Sequence, residues 1–172
     1  GVGISVVNAL STRLDLEIRR DGKVWRQRYM RGDPQDKLQV AGSTDRTGTK
    51  IAFTPDSEIF STAEYSFDTL SGRLRELSFL NPGLSISIAD ERTEKKHEFS
   101  YPGGIKSFVE HLNKRKNAIS DMLYFSGARD DVQFEVAMQW NQSYQETIYT
   151  FANNINTHEG GAHLIGFKSA LT

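Results

Sequence analysis

The sequence predicts an α+β fold in which antiparallel hairpins alternate with helices. Apolar residues recur at period two in several short runs and at helical spacing in others, and turn dipeptides separate the runs. At 172 residues, with 37% hydrophobic and 25% charged positions, the chain can bury a core as one domain or as two small ones.

Gly1-Val2-Gly3 runs into an apolar stretch read as a short helix that closes over residues 8–11. Leu14, Leu16 and Ile18 then alternate with Asp15, Glu17 and Arg19, the pattern of a half-buried strand. Asp21-Gly22 is a two-residue hairpin signal, and residues 23–30 return as the partner strand. Residues 32–46 are polar and turn-rich, a loop enclosing a short strand near 38–40. Thr47-Gly48-Thr49 leads into a strand over 50–54, stopped by Pro55. Phe67, Leu70, Leu74 and Leu77 share one helical face, and Asn81-Pro82-Gly83 ends that helix.

Leu84, Ile86 and Ile88 alternate as a strand whose expected partner is 95–101. Gly103-Gly104 opens a helix with Ile105, Phe108, Val109 and Leu112 inward, and Lys114-Arg115-Lys116 suits its C-terminal dipole. Residues 117–121 read as a linker, so the expected domains are 1–117 and 118–172. Val132, Phe134, Val136, Met138 and Trp140 form a period-two strand, which Asn141-Gln142-Ser143 is expected to turn back into 145–152. Gly160-Gly161-Ala162-His163 starts a last helix. The absence of an initiator Met and the start inside a glycine turn predict that the chain belongs to a longer one.

Composition excludes several classes. With no cysteine there are no disulfides, zinc ribbons or thiol nucleophile. No apolar run approaches the roughly 18–20 residues that span a bilayer, and no signal-peptide core is visible. A net charge of −1 predicts no large basic face and no strong nucleic-acid binding by electrostatics alone. His97, His111, His158 and His163 lack metal-ligand spacing, and Asp130-Asp131 reads as a turn rather than an acid/base pair. Neither a nucleophile elbow nor a complete P-loop is present.

Two features can bind anions. In Gly1-Val2-Gly3 the small residues let backbone N–H groups approach phosphate at a helix start, although a plain turn is the commoner use. Arg19 and Arg20 end a strand beside a hairpin, so one of them points outward. Its guanidinium can take an anion or a planar ligand, the alternative being an exposed salt bridge.

Residues 1–11 resemble the end of the glycine-rich ATP lid of the DNA gyrase B family. The likeness continues through the Asp21-Gly22 hairpin, Thr47-Gly48-Thr49, residues 73–81, residues 101–112 and Asn153-Asn154-Ile155, and ends with residues 159–167. It implies a partial two-layer α/β sandwich of the Hsp90/gyrase-type ATPase, followed by the start of a ribosomal-protein-S5-like transducer domain. It also implies that Gly1, Val2 and Gly3 hold ATP phosphates, that Gly48 and Thr49 line the adenine pocket, and that Arg20 meets coumarin inhibitors at its mouth. ATP and magnesium are the implied cofactors.

The family's general base, magnesium-binding asparagine and adenine-reading aspartate precede the position of Gly1, and its γ-phosphate lysine follows that of Thr172. These residues alone are therefore expected not to hydrolyse ATP. The implied partners are gyrase A, DNA, and a second copy through an N-terminal arm, in the cytoplasm. The ATPase component of topoisomerase IV or a non-catalytic module of the same fold is the alternative.

Overall fold

Asp21 and Gly22 both adopt left-handed backbone, with φ of 53° and 72°. This is the type I′ turn whose twist matches that of paired strands, and it folds β1 (Ser11–Arg20) onto β2 (Lys23–Met30). The computed structural model describes residues 2–172, in two compact units: one runs to Tyr65, the other from Ser66 to Thr172.

In the first unit, α1 (Gly3–Ala9) leads directly into β1. β1 lies between β2 and the antiparallel β5 (Gly48–Pro55). β4 (Gln39–Ser43), at the short strand expected near 38–40, and the unexpected two-residue β3 (Asp33–Pro34) both pair with β2 within the turn-rich stretch. Register sorts β1 cleanly. Leu14, Leu16 and Ile18 face Tyr29, Gln27 and Trp25 on one side and Phe53, Ile51 and Thr49 on the other, so these side chains share one face.

The opposite face carries a charge ladder. Asp15 takes Arg28 at 2.6 Å on one oxygen and Arg13 at 2.6 Å on the other, and Glu17 divides Arg19 (2.7 Å) from Arg26 (2.8 Å) in the same way. The hydrogen bonds from Arg28 and then Arg13 hold the Asp15 carboxyl below its usual range, as those from Arg26 and then Arg19 do for Glu17.

The far end of this sheet is fixed by Asp56, which is 1% exposed. Its carboxylate takes the Arg31 Nε at 2.7 Å and the Glu58 amide at 3.0 Å, and its own N–H donates to the Leu10 carbonyl at 3.0 Å. The Arg31 N–H donates to the Ser11 carbonyl at 2.9 Å, so Asp56, through its carboxylate and its backbone N–H, ties together the ends of α1, β2 and β5.

The second unit packs on aromatic rings. α2 (Phe67–Leu80) is capped by the Ser66 Oγ, which accepts from the Thr69 N–H, and it lies on the hairpin of β6 (Ser85–Asp90) and β7 (Lys95–Ser100). Phe79, 1% exposed, stacks on Tyr101 at 3.8 Å and on Phe108 of α3 (Ile105–Asn113) at 4.9 Å. Gly104 opens α3 with φ 59°, and a Cβ there would stand 2.9 Å from Pro82, so this turn requires glycine.

Beyond α3 the expected pairing is corrected. Val132–Met138 (β9) pairs with the preceding Leu123–Arg129 (β8), not with 145–152. Asp130 and Asp131 are both left-handed (φ 49° and 63°) and form the turn between them. Of 145–152 only Phe151–Ala152 (β10) is a strand. It pairs with Ile155–Asn156 (β11) across Asn153-Asn154, whose φ values are again positive. This small hairpin is held on α2 by side-chain bonds: Arg73 to the Asn154 carbonyl (3.0 Å), Asn154 to Asn81 (3.1 Å) and Asn156 to Glu76 (3.2 Å). α4 (Gly161–Leu171) follows. No helix among the described residues is long and apolar enough to cross a membrane.

Two outcomes are expected. Arg31→Met strands a buried carboxylate and should cost about 3–5 kcal/mol, read as a lower urea midpoint of Trp25 fluorescence in a Trp140→Phe background; a loss under about 1 kcal/mol would rule out the central role given to Asp56. For the ladder, both folded-state carboxyl values lie below the unfolded ones. Its stability contribution is therefore complete above about pH 4–5 and is lost as pH falls through the depressed folded values. The stability gap between parent and Asp15→Asn should be open at about pH 7 and closed at about pH 2, and a constant gap would contradict it.

Candidate functional site

The site is built where the hairpin end of β1 meets the start of β5. Ile18 faces Thr49, Arg19 faces Gly48, and Arg20 pairs with Lys23 at the turn. Alternation puts Arg20, Ile18 and Thr49 on the apolar face together with Trp25 and Ile51, and sends Arg19 to the charged face. Gly48 enters β5 with φ 147°, a conformation that side chains rarely adopt, so glycine at this position sets how Thr49 is presented.

Chemically this is an apolar strip with a polar rim. Ile18, Ile51 and Trp25 supply surface for a flat ring, the Thr49 hydroxyl both donates and accepts, and a guanidinium lies beyond. The Lys23 ammonium sits 5.7 Å from the centre of the Trp25 ring, which adds a second cation to the rim. Arg20 approaches Asp21 at 3.7 Å with side-chain exposures of 78% and 86%, an ion pair of little energy that leaves the guanidinium available.

Sequence reasoning named Arg20, Gly48 and Thr49, and the sheet brings these three together. It missed Trp25 and Lys23, although the turn at Asp21-Gly22 and strand alternation would have placed both beside Arg20. Val2 and Gly3 start α1, whose Val6, Val7 and Leu10 line an apolar groove of about 190 Å³ that Phe53, Phe60 and Tyr65 complete. Val2 has no side-chain cap to offer, so the first amides of α1 are free of intrahelical partners. Gly1 lies outside the described residues.

Other candidates resolve simply. His163 bonds the Thr157 hydroxyl at 3.2 Å at the start of α4, and His97 bonds Ser71 at 2.7 Å between the rings of Phe67 and Phe99. Burial first, with Arg75 and Lys114 nearby, holds the His111 imidazole below its usual range. No group of three or more metal-ligating side chains occurs among the described residues. A wider groove of about 340 Å³ in the second unit, bordered by Glu146, Tyr149, Thr157 and Lys168, contains none of the expected residues.

Comparison with known proteins converges on one family. The DNA gyrase B family model matches residues 104–172. The DNA gyrase B protein of Bacillus mycoides is 56% identical over the whole chain, and that of Myxococcus xanthus 53%. The chain spans only 43% and 21% of their respective lengths. Among solved structures, the 43K ATPase domain of Thermus thermophilus gyrase B in complex with an aminocoumarin superposes with a TM-score of 0.90. It is 38% identical, and the match covers 99% of this chain and 47% of that one. The gyrase B structure from Myxococcus xanthus superposes with a TM-score of 0.89 at 28% identity, over 98% of this chain and 50% of that one.

Proposed function

Because the chain belongs to the DNA gyrase B family, we propose that it serves the ATP-driven component of a bacterial type II DNA topoisomerase. In this reading the whole protein binds and hydrolyses ATP, which closes a dimer and, with gyrase A, drives passage of one DNA segment through another and negative supercoiling in the cytoplasm. The gyrase names of the relatives favour supercoiling over the decatenation of topoisomerase IV. The observation that carries the reading is the clustering of Thr49, Gly48 and Arg20 at one end of an apolar sheet face.

These residues fit a purine nucleotide. Ile18 and Ile51 would bear the flat ring, the Thr49 hydroxyl would bond a ring-edge nitrogen directly or through water, and Gly48 would keep the wall clear. Gly1, Val2 and Gly3 are proposed as the phosphate side, where unbonded amides at the start of α1 complement negative charge. ATP brings the bond to be broken, with magnesium as its counter-ion. No general base and no magnesium ligand is assigned within residues 1–172. We also keep the domain boundary at 117/118. What supports it is that, among the described residues, β8 pairs with β9 and β10 with β11 and none of them with an earlier strand, although Gln139 and Asn156 of this segment bond to α3 and α2.

Arg20 is proposed as the mouth residue for aminocoumarins, and Thr49 as the nucleotide-wall residue. In the full-length protein Arg20→Gln should weaken aminocoumarin binding about 10- to 100-fold, the loss of a charge-assisted bond, while ATP-analogue affinity changes less than about threefold. Thr49→Val should weaken both. Calorimetry that found equal losses for the two ligands on Arg20→Gln would remove Arg20 from the mouth.

A further inference from the structure

We propose that the charged face of the β1–β2–β5 sheet docks the phosphate backbone of duplex nucleic acid. The net charge of −1 is an average that conceals this face. Its outward positions hold five cations, Arg13, Arg19, Arg26, Arg28 and Lys50, against the two carboxylates Asp15 and Glu17. Two further carboxylates stand near one end only: Asp33, opposite Met30, and Asp36, which accepts from the Arg28 backbone amide at 3.1 Å. The four arginine side chains are 40–63% exposed.

The carboxylates do more than neutralise. Each carboxylate oxygen receives a different arginine through Nε or the Nε/Nη2 edge. That leaves the Nη1 end of every fork without a protein partner among the described residues. Each guanidinium is thereby held in place before any ligand arrives, and such preorganisation reduces the ordering cost of binding. A guanidinium fork suits phosphate oxygens better than the ammonium of lysine does.

Scale selects the occupant. Arg13 and Arg19 stand six residues apart on one strand, about 20 Å, with neighbouring strands about 4.8 Å away. A duplex strand presents a phosphate about every 3.4 Å of helix axis, so it can meet all four forks at once. A free phosphate or a nucleotide can meet one or two. The face lies opposite Thr49 and Arg20, so it does not compete with the proposed nucleotide wall.

The test is anisotropy of a labelled 20-bp duplex with the full chain, without nucleotide, titrated between about 50 and 200 mM salt. Four phosphate contacts predict a log–log slope near −3.6, at about −0.9 per contact. Replacing a whole triad (Arg13→Gln, Asp15→Asn, Arg28→Gln) leaves no unpaired charge. It should halve the slope and weaken binding at about 50 mM salt more than tenfold.

A second measurement requires no variant. Duplex should shield Lys50 from acetylation and leave Lys37 reactive, whereas inorganic phosphate at equal phosphate concentration should shield neither. The proposal is overturned if the parent chain shows no salt-dependent binding, if the folded triad variant binds as the parent does, if Lys50 stays reactive, or if poly-glutamate competes as well per charge. None of these readouts involves ATP, so they leave the nucleotide reading untouched.

Discussion

The register of β1 between β2 and β5 is the constraint on which the first unit depends. Side chains alternate strictly along a strand, so a slip of one residue would exchange every position of one face for the other. Leu14, Leu16 and Ile18 would then turn to the ladder side, and Asp15 and Glu17 would face Phe53 and Ile51. Two devices at opposite ends prevent this. The left-handed Asp21-Gly22 pair fixes how β1 and β2 meet, and the buried Asp56, by carboxylate and backbone N–H, gathers the ends of α1, β2 and β5. Between them, the ladder rewards only the correct register, because Asp15 and Glu17 each need two arginines in reach.

The second unit is organised differently. Its centre is a ring stack on Phe79, to which α2, the turn after β7 and α3 all contribute. The segment beyond residue 118 adds Tyr149 and Phe151 to this stack, 5.1 and 6.4 Å from Phe108, and polar bonds complete its attachment to α2 and α3. Arg73, Glu76 and Asn81 hold the β10–β11 hairpin, and Asn113 holds Gln139 and Asn141. Apolar packing of rings is non-directional, whereas these bonds fix one orientation.

Much of this was legible from residue order, for local reasons. Helices α2 and α3 follow from apolar spacing and from the Pro82-Gly83 and Gly103-Gly104 punctuation, and the first hairpin from one dipeptide. The failure at 145–152 has an equally local cause. Asn141-Gln142-Ser143 resembles a hairpin turn, but Asp130-Asp131 already performs that function, pairing β9 with the segment before it. Two adjacent aspartates tolerate left-handed backbone almost as well as Asn-Gly, a signal read as a turn without the consequence for pairing. At the candidate site, Arg20, Gly48 and Thr49 came from motif likeness, while Trp25 and Lys23 required the register. The ladder was hidden by charge averaging, since a balanced total says nothing about which face carries the excess.

Arg19 and Arg20 show how much of a residue's character comes from its neighbours. Both end the same strand, and the sequence required only that one point outward. Arg19 lies over Glu17 at 2.7 Å and is absorbed into the ladder, so its fork serves the charged face. Arg20, one residue on, has only the distant and exposed Asp21 beside it, above Trp25 and Ile18. An isolated cation at the edge of an apolar strip contributes little to folding, because its ion pair is screened and its stem is barely packed. Its position is instead suited to a ligand that brings its own polar edge. The same side chain thus supports sheet structure at one position and is left free for recognition at the next, and strand alternation alone separates the two.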